Sequence, residues 1–533
     1  MEREDDMARG YICIVLHAHL PFTRHIERDQ FLEERWFFEG MTESYMPLGL
    51  MMRRLRDQGV PARFTVSLSP TLLAMMADTE LMARYKRHLE KTIELGEREV
   101  ERTRNEPVFN YTARMYRDQF KSSYSVLFDE YGGSPVALFH ELAQSGVVEL
   151  MTSAATHGYL PLLSVNPSSV RGQVRTAVEH FKDTVGLHPA GFWLPECGYY
   201  RGLENVLAHS GLRYFIVEAH GLLHADPCPR YGVFAPIRCP SGTVVFGRDT
   251  ETAKQVWSAN EGYPGDPDYR EFYRDIGYDL PEEYIREYIH DNALRVDTGY
   301  KYHRITGRTE HKQPYQPDWA RDKAAVHAGN FMHNRQKQVE YFSGAMQTPP
   351  IVVSPYDAEL FGHWWYEGPM FLEFLAKKIA YDQGDLEMIT PSQYLERHGA
   401  PQEALPQESS WGYKGFHEVW LNGRNDWMLP WIHWAGRRMS ELAARFAGQD
   451  GQIRRGLAQA ARETLLVEAS DWPFILNNGT SVAYAEARFR THLQRFKHIY
   501  DGLMSGTLSQ ADLESAEEYD NLFARVPVEA WKP

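Results

Sequence analysis

An α/β fold built on parallel strands is what this sequence predicts, on three observations. Short β-rich apolar runs recur up to residue 355, longer helical patterns separate them, and the runs end in polar turns containing Gly or Pro. Strands alternating with helices imply right-handed crossovers and a parallel sheet. Runs that are continuously apolar rather than alternating mark strands buried on both faces. In a β/α barrel the turns after the strands gather at one mouth, where catalytic residues collect.

The runs, in order, are YICIVL at 11 to 16, RFTVSLS at 63 to 69, VVELMTS at 147 to 153, GFWLP at 191 to 195, RYFIVE at 213 to 218 and PIVVSP at 350 to 355. Helical segments such as 168 to 185 and 317 to 344 lie between them. Residues 73 to 145 break the alternation with a long charged stretch containing KRHLEKTIELGEREVERTR, an expected helical insertion whose charges form a solvated face. The Pro-, Gln- and Ser-rich APQEALPQESS near residue 400 marks an expected boundary. Beyond it, 426 to 447, 451 to 469 and 481 to 504 carry helical periodicity without strand candidates, so the chain divides into a barrel over 1–400 and an all-helical domain over 401–533. That division suits 533 residues, more than one compact core usually supports.

Composition narrows the function. A net charge of -15 disfavours nucleic acid and anionic membranes as partners. The acidic start MEREDDMARG and the brief apolar run after it resemble neither a signal peptide nor a membrane span, which points to a cytoplasmic protein. Four cysteines without CxxC pairing make a disulfide scaffold or structural zinc unexpected. Aromatic residues reach 13%, enough to supply rings for sugar faces or interfaces beyond core packing.

Four strand ends carry polar groups that packing does not require. HAHLP offers His17 and His19, which project to the same side of an extended backbone. AATHGYLP offers His157, GFWLPECGYY offers Glu196 beside Trp193, Tyr199 and Tyr200, and YDAELFGHWW offers Asp357, Glu359 and His363. Two chemistries could use such a ring. The histidines with a carboxylate could bind a metal and activate water, as in a polysaccharide deacetylase. Alternatively, Glu196 and Asp357 could face each other across a glycosidic bond, one as nucleophile and the other as general acid/base. An apolar wall suits the second, because it raises the pKa of an acid or focuses a carboxylate's charge on an oxocarbenium ion.

HAHLP, AATHGYLP, GFWLPECGYY, SPYDAELFGHWW and EASDWPF…AYAEARF resemble, in order, the conserved regions of family 57 glycoside hydrolases, and among them the glycogen (1,4-α-glucan) branching enzymes. VWSANEGYPGDPDYREFYRDIG, KYHRIT and SSWGYKG…VWLN match the same branch, so the resemblance spans nearly the whole chain. It implies a distorted (β/α)7 barrel, a helical insertion and a C-terminal helical domain that helps build the cleft. It also implies a retaining mechanism without cofactor or metal, with Glu196 as nucleophile, Asp357 as general acid/base and an α-1,4-glucan as substrate. His17, His19 and His157 match residues lining the donor site; Trp36, Trp257, Trp411 and Trp420 match glucan-contacting tryptophans; Asp471 matches an aspartate approaching the cleft. Tyr231, in HADPCPRYGVF, is the candidate for a mobile tyrosine that shields the intermediate from water. A 4-α-glucanotransferase or α-amylase would use the same two carboxylates. A glucan-binding protein without activity is the remaining alternative.

Overall fold

The computed structural model describes residues 8–258, 261–290 and 294–533. Ten strands form one sheet: β1 (Gly10–Ala18), β2 (Phe64–Leu68), β3 (Val148–Ser153), β4 (Gly191–Trp193), β5 (Tyr214–Val217), β6 (Ile237–Arg238), β7 (Val244–Gly247), β8 (Ile351–Asp357), β9 (Leu386–Met388) and β10 (Gln402–Glu403). The order is β10-β6-β7-β5-β4-β3-β2-β1-β8, with β9 also on β1. Every pairing is parallel except β6 with β7. Seven parallel strands, β8-β1-β2-β3-β4-β5-β7, thus make the curled wall, and the Asp249 N–H just after β7 donates to the Val353 carbonyl of β8 at 2.9 Å, joining its two ends.

Residue parity shows the curl directly. Tyr11, Cys13 and Val15 of β1 pack in one cluster with Trp193 of β4, Tyr214 and Ile216 of β5, Val244 and Phe246 of β7, and Ile351 and Val353 of β8. Strands at opposite ends of the sheet share this cluster only because the sheet wraps around it. The intervening Ile12, Ile14 and Leu16 belong to the outer core, against the helices. β1 is buried along its whole length, as a continuously apolar parallel strand must be.

The helices fall close to the positions expected. Pro167–Val185 starts on a proline and stops at Gly186, whose φ of 78° suits a glycine cap; Pro317–Ser343 precedes β8. The insertion between β2 and β3 consists of Pro70–Ala77, Thr79–Arg102, Pro107–Tyr124 and Pro135–Gln144. Toward the C-terminus, Leu429–Phe446, Gly451–Val467, Asp471–Asn478 and Val482–Ser505 pack together as helices. The six apolar runs all become strands; β7, the seventh wall strand, comes from VVFG, a four-residue run that was not among them. No helix among the described residues is long and apolar enough to cross a membrane.

Candidate active site

The inward parity of β1 continues past the apolar cluster. After Tyr11, Cys13 and Val15 the next inward residues are His17 and His19, so the strand that fills the barrel floor also delivers two imidazoles to its mouth. On β8 the same alternation carries Ile351 and Val353 inward and ends at Asp357. β2 supplies Ser67, and Ser69, which caps the helix directly after it, keeps the spacing of the histidines they meet. His17, His19, His157, Glu196, Arg248, Trp257, Asp357, Glu359, Trp411, Asp471 and Phe474 line one cavity of about 430 Å³.

Every histidine nitrogen in this cluster is engaged. His17 meets Ser67 Oγ at 3.0 Å and His157 Nε2 at 3.0 Å; His157 meets Ser470 Oγ at 2.9 Å; His19 meets Ser69 Oγ at 3.0 Å and Asp471 Oδ1 at 3.0 Å. The rings lie nearly flat on one another, His19 over His157 at 3.8 Å and His17 over the buried Trp193 at 4.7 Å. Burial, reinforced by the neighbouring His19, holds His17 and His157 well below the usual histidine range. Both are therefore neutral, and one Nε2–H can donate to the other's lone pair. Burial opposes charge on His19 too, but Asp471, Glu359 and Glu196 outweigh it and raise its pKa. These are rings oriented for hydrogen bonding, with no nitrogen left to converge on a metal; that geometry disfavours the deacetylase chemistry.

The carboxylates are set differently. Glu196 lies in a short turn after β4 with φ 59°, and Cys197 follows at φ 52°. His157 has φ 55°, so three of the five described non-glycine residues with positive φ belong to this site. Such strained backbone persists only where its surroundings enforce it. Here the Trp411 N–H donates to the Glu196 carbonyl at 3.0 Å and the Trp411 indole donates to Glu196 Oε2. Burial pushes Glu196 up to about 7, against the pull of Trp411 and His19. For Asp357, burial acts with the charges of Glu359 and Glu196 to raise the pKa well above the usual carboxylate range, opposed by Arg248. The Asp357 carboxyl makes no capping bond to the short helix after it. Both carboxyls are thus raised above the usual range, Glu196 with one oxygen held by an indole and Asp357 with two acidic neighbours. Burial keeps the adjacent Cys197 a thiol.

A model described as glycosyl hydrolase family 57 matches residues 13–406. The chain belongs to that family. A second model, the C-terminal region of 1,4-alpha-glucan branching enzyme, matches residues 431–531. Among solved structures, the alpha-amylase AmyC from Thermotoga maritima is 40% identical with a TM-score of 0.92, covering 99% of each chain. A family 57 branching enzyme from Thermococcus kodakaraensis is 32% identical with a TM-score of 0.88, covering 98% of this chain and 97% of its own. A probable 1,4-alpha-glucan branching enzyme from Mycobacterium tuberculosis is 28% identical over 523 residues, 93% of each chain.

Within this family 57 framework, the residues singled out in sequence divide clearly. His17, His19, His157, Glu196, Trp257, Asp357, Trp411 and Asp471 converge on the cavity; Trp193 forms its floor, stacked under His17 and edge-on to Trp411 at 5.1 Å. Trp36 stands apart from this lining, edge-on to Tyr484 at 5.7 Å. Trp420 is only 3% exposed and lies flat on Tyr159 at 4.2 Å, so it buttresses the AATHGYLP turn rather than offering a face to sugar. Tyr231 is at the wrong end for a shield: its hydroxyl accepts from the Gln347 N–H at 3.4 Å, ahead of β8, whereas Asp357 closes that strand about 20 Å further on. Trp472 is fully buried, its indole donating to the Leu466 carbonyl at 2.7 Å.

Of the two polar residues that follow Asp357 in YDAELFGHWW, Glu359 lines the cavity, accepting from the His19 N–H at 3.1 Å and from the Tyr45 hydroxyl. His363 instead turns to Glu43, at 2.6 Å. Arg248 was missed. It donates to Glu218 at 2.8 Å and lies 5.3 Å from the Trp411 ring, bracing the indole that holds Glu196. The available signal was its place directly after VVFG. Ser470, in contrast, has no pattern of its own; only folding brings it to His157.

Proposed function

We propose that this chain is a 1,4-alpha-glucan branching enzyme. The observation that carries the reading is a pair of partly buried carboxyls without an ion pair of their own, at the ends of β4 and β8, in a cavity partly walled by Trp411 and Asp471 from beyond residue 400. Glu196 attacks the anomeric carbon of an α-1,4-glucan while Asp357 gives its proton to the leaving oxygen, forming a glucosyl ester. Asp357, now a base, takes the proton of a 6-hydroxyl on another glucan chain, and that oxygen displaces Glu196 to make an α-1,6 branch. Retention calls for the two carboxyls to stand about 5 to 5.5 Å apart. Trp257 and Trp411 offer ring faces to the sugar, and His17, His19, His157 and Asp471 form the polar donor wall. In this division residues 1–400 hold the catalytic pair and 401–533 close the cleft. Four unpaired thiols suit a cytoplasmic setting.

The likeness to an alpha-amylase favours one second reading, hydrolysis by the same two groups with water as acceptor. Incubation with amylose separates them. New α-1,6 linkages released by a debranching enzyme, with few new reducing ends, are expected. Reducing ends without branches would make the chain an amylase, and unbranched chains of redistributed length a 4-α-glucanotransferase.

A further inference from the structure

A cavity of about 430 Å³ has the dimensions of a small-molecule pocket, so a polymer engaged there must leave over its rim. The loop after Asp357, on the mouth side of β8, carries a surface that the chemistry above does not use. Trp364 is 52% exposed and Tyr273, from the segment between β7 and β8, is 79% exposed. Phe272 joins them, stacked on Trp364 at 4.4 Å and edge-on to Tyr273 at 5.1 Å.

The loop beneath the rings is braced by hydrogen bonds, and the charges beside it are paired. The Trp364 N–H donates to the carbonyl of Glu359, a cavity-lining residue, at 3.2 Å. His363 is held by Glu43 at 2.6 Å, and Arg270 donates to the His363 carbonyl at 3.2 Å. Lys301, 4.7 Å from the Phe272 ring centre, is spent on the Phe272 carbonyl and Asp297. Planar rings with neighbouring charges already satisfied suit a neutral ligand with apolar faces, and a pyranose presents such a face of C–H groups. We propose that Trp364 and Tyr273 form an auxiliary binding platform for an α-1,4-glucan chain running out of the active-site cavity. The proposal rests on the glucan-active reading above and adds a surface outside the cavity that grips polymer rather than short substrate.

The test compares Tyr273→Ala, Trp364→Ala and Trp364→Phe, measuring affinity for soluble amylose by affinity electrophoresis and for maltotriose by calorimetry. The alanine variants should weaken amylose binding about tenfold, Trp364→Phe much less, while maltotriose affinity holds. Amylose affinity unchanged in both alanine variants overturns the proposal, as does a change in sedimentation showing that the rings cover a second copy. Tyr273, exposed and peripheral, keeps the test decisive should Trp364→Ala fail to fold. If the wild-type protein makes no α-1,6 bonds yet the variants lose amylose affinity, the platform stands and only the branching reading falls.

Discussion

Glu463 and Asp520, packed among the C-terminal helices, are fully buried, whereas Glu196 and Asp357 at the barrel mouth remain partly exposed. In the helical cluster each acid has partners. His492 Nδ1 lies 2.9 Å from Glu463 and 3.4 Å from Asp520, Gln459 donates to Glu463 at 2.9 Å, and Arg488 and Arg495 both face Asp520. Burial alone would raise both; at Asp520 the charges of His492, Arg488 and Arg495 outweigh it and hold the pKa far below normal, whereas burial and the neighbouring Asp520 raise Glu463 to about 7. At the mouth Arg248 is turned to Glu218, and although it opposes the rise of Asp357 and His19 that of Glu196, both acids stay raised. The helices' acids serve the fold. On the branching reading proposed above, those of the mouth are left without an ion pair of their own so that the positive charge they meet is the one developing on the sugar.

Glu196→Gln should break the functional side of this contrast most severely, lowering kcat by about 10⁴-fold with the circular dichroism spectrum and glucan binding retained. Activity within tenfold of wild type would remove Glu196 as nucleophile.

Stability should respond in opposite senses at Asp520 and at Asp357. Asp520 has a depressed folded pKa, so its contribution is present above its unfolded value near 3.8 and is lost as pH falls. Asp520→Asn should cost about 3 kcal/mol at pH 7 in denaturant unfolding, because it strands the cations around it. Asp357 has a raised folded pKa, so the folded state binds more protons and stability declines as pH rises above about 3.8. Asp357→Asn should therefore stabilise by about 1 kcal/mol at pH 7 while abolishing turnover, and the gain should vanish below pH 3.8. Destabilisation by both substitutions at pH 7 would dissolve the distinction.

The smallest effect concerns the indole. Trp411→Phe removes a donor to the Glu196 carboxylate, and the acidic limb of the kcat/KM profile, set near the Glu196 value of about 7, should move up by roughly one unit. A fixed limb would mean that Trp411 only shapes the wall.

The strands and the two carboxyls were legible because both obey local rules. Continuous apolar runs mark parallel strands, and a polar residue at the end of such a run has no packing reason to be there; His17 and Asp357 are clear instances. β7 escaped because four residues, VVFG, give too short a run, and Arg248 went with it. Tyr231 and Trp420 misled for a different reason. Motif position tells which residues occur together in the chain, whereas exposure and end-of-barrel placement depend on crossovers that no local pattern encodes. Trp420 resembles a sugar-binding ring in sequence, and only its stack on Tyr159 shows that its face is taken. The strain at Glu196 is likewise invisible in PEC, since left-handed backbone at non-glycine residues is imposed by tertiary contacts.

The contact between His19 and Asp471 spans 452 positions of the chain, and that between His157 and Ser470 spans 313. During synthesis the barrel strands through β8 leave the ribosome well before Asp471 is made, and a domain completed early folds early. A chain stopped before residue 470 would lack Asp471 and Phe474 from the cavity wall and Ser470 from beside His157, leaving the mouth around Glu196 and Asp357 more open to water. The complete cavity is therefore a late event in the making of each molecule, assembled only once the segment around Asp471 has joined the barrel.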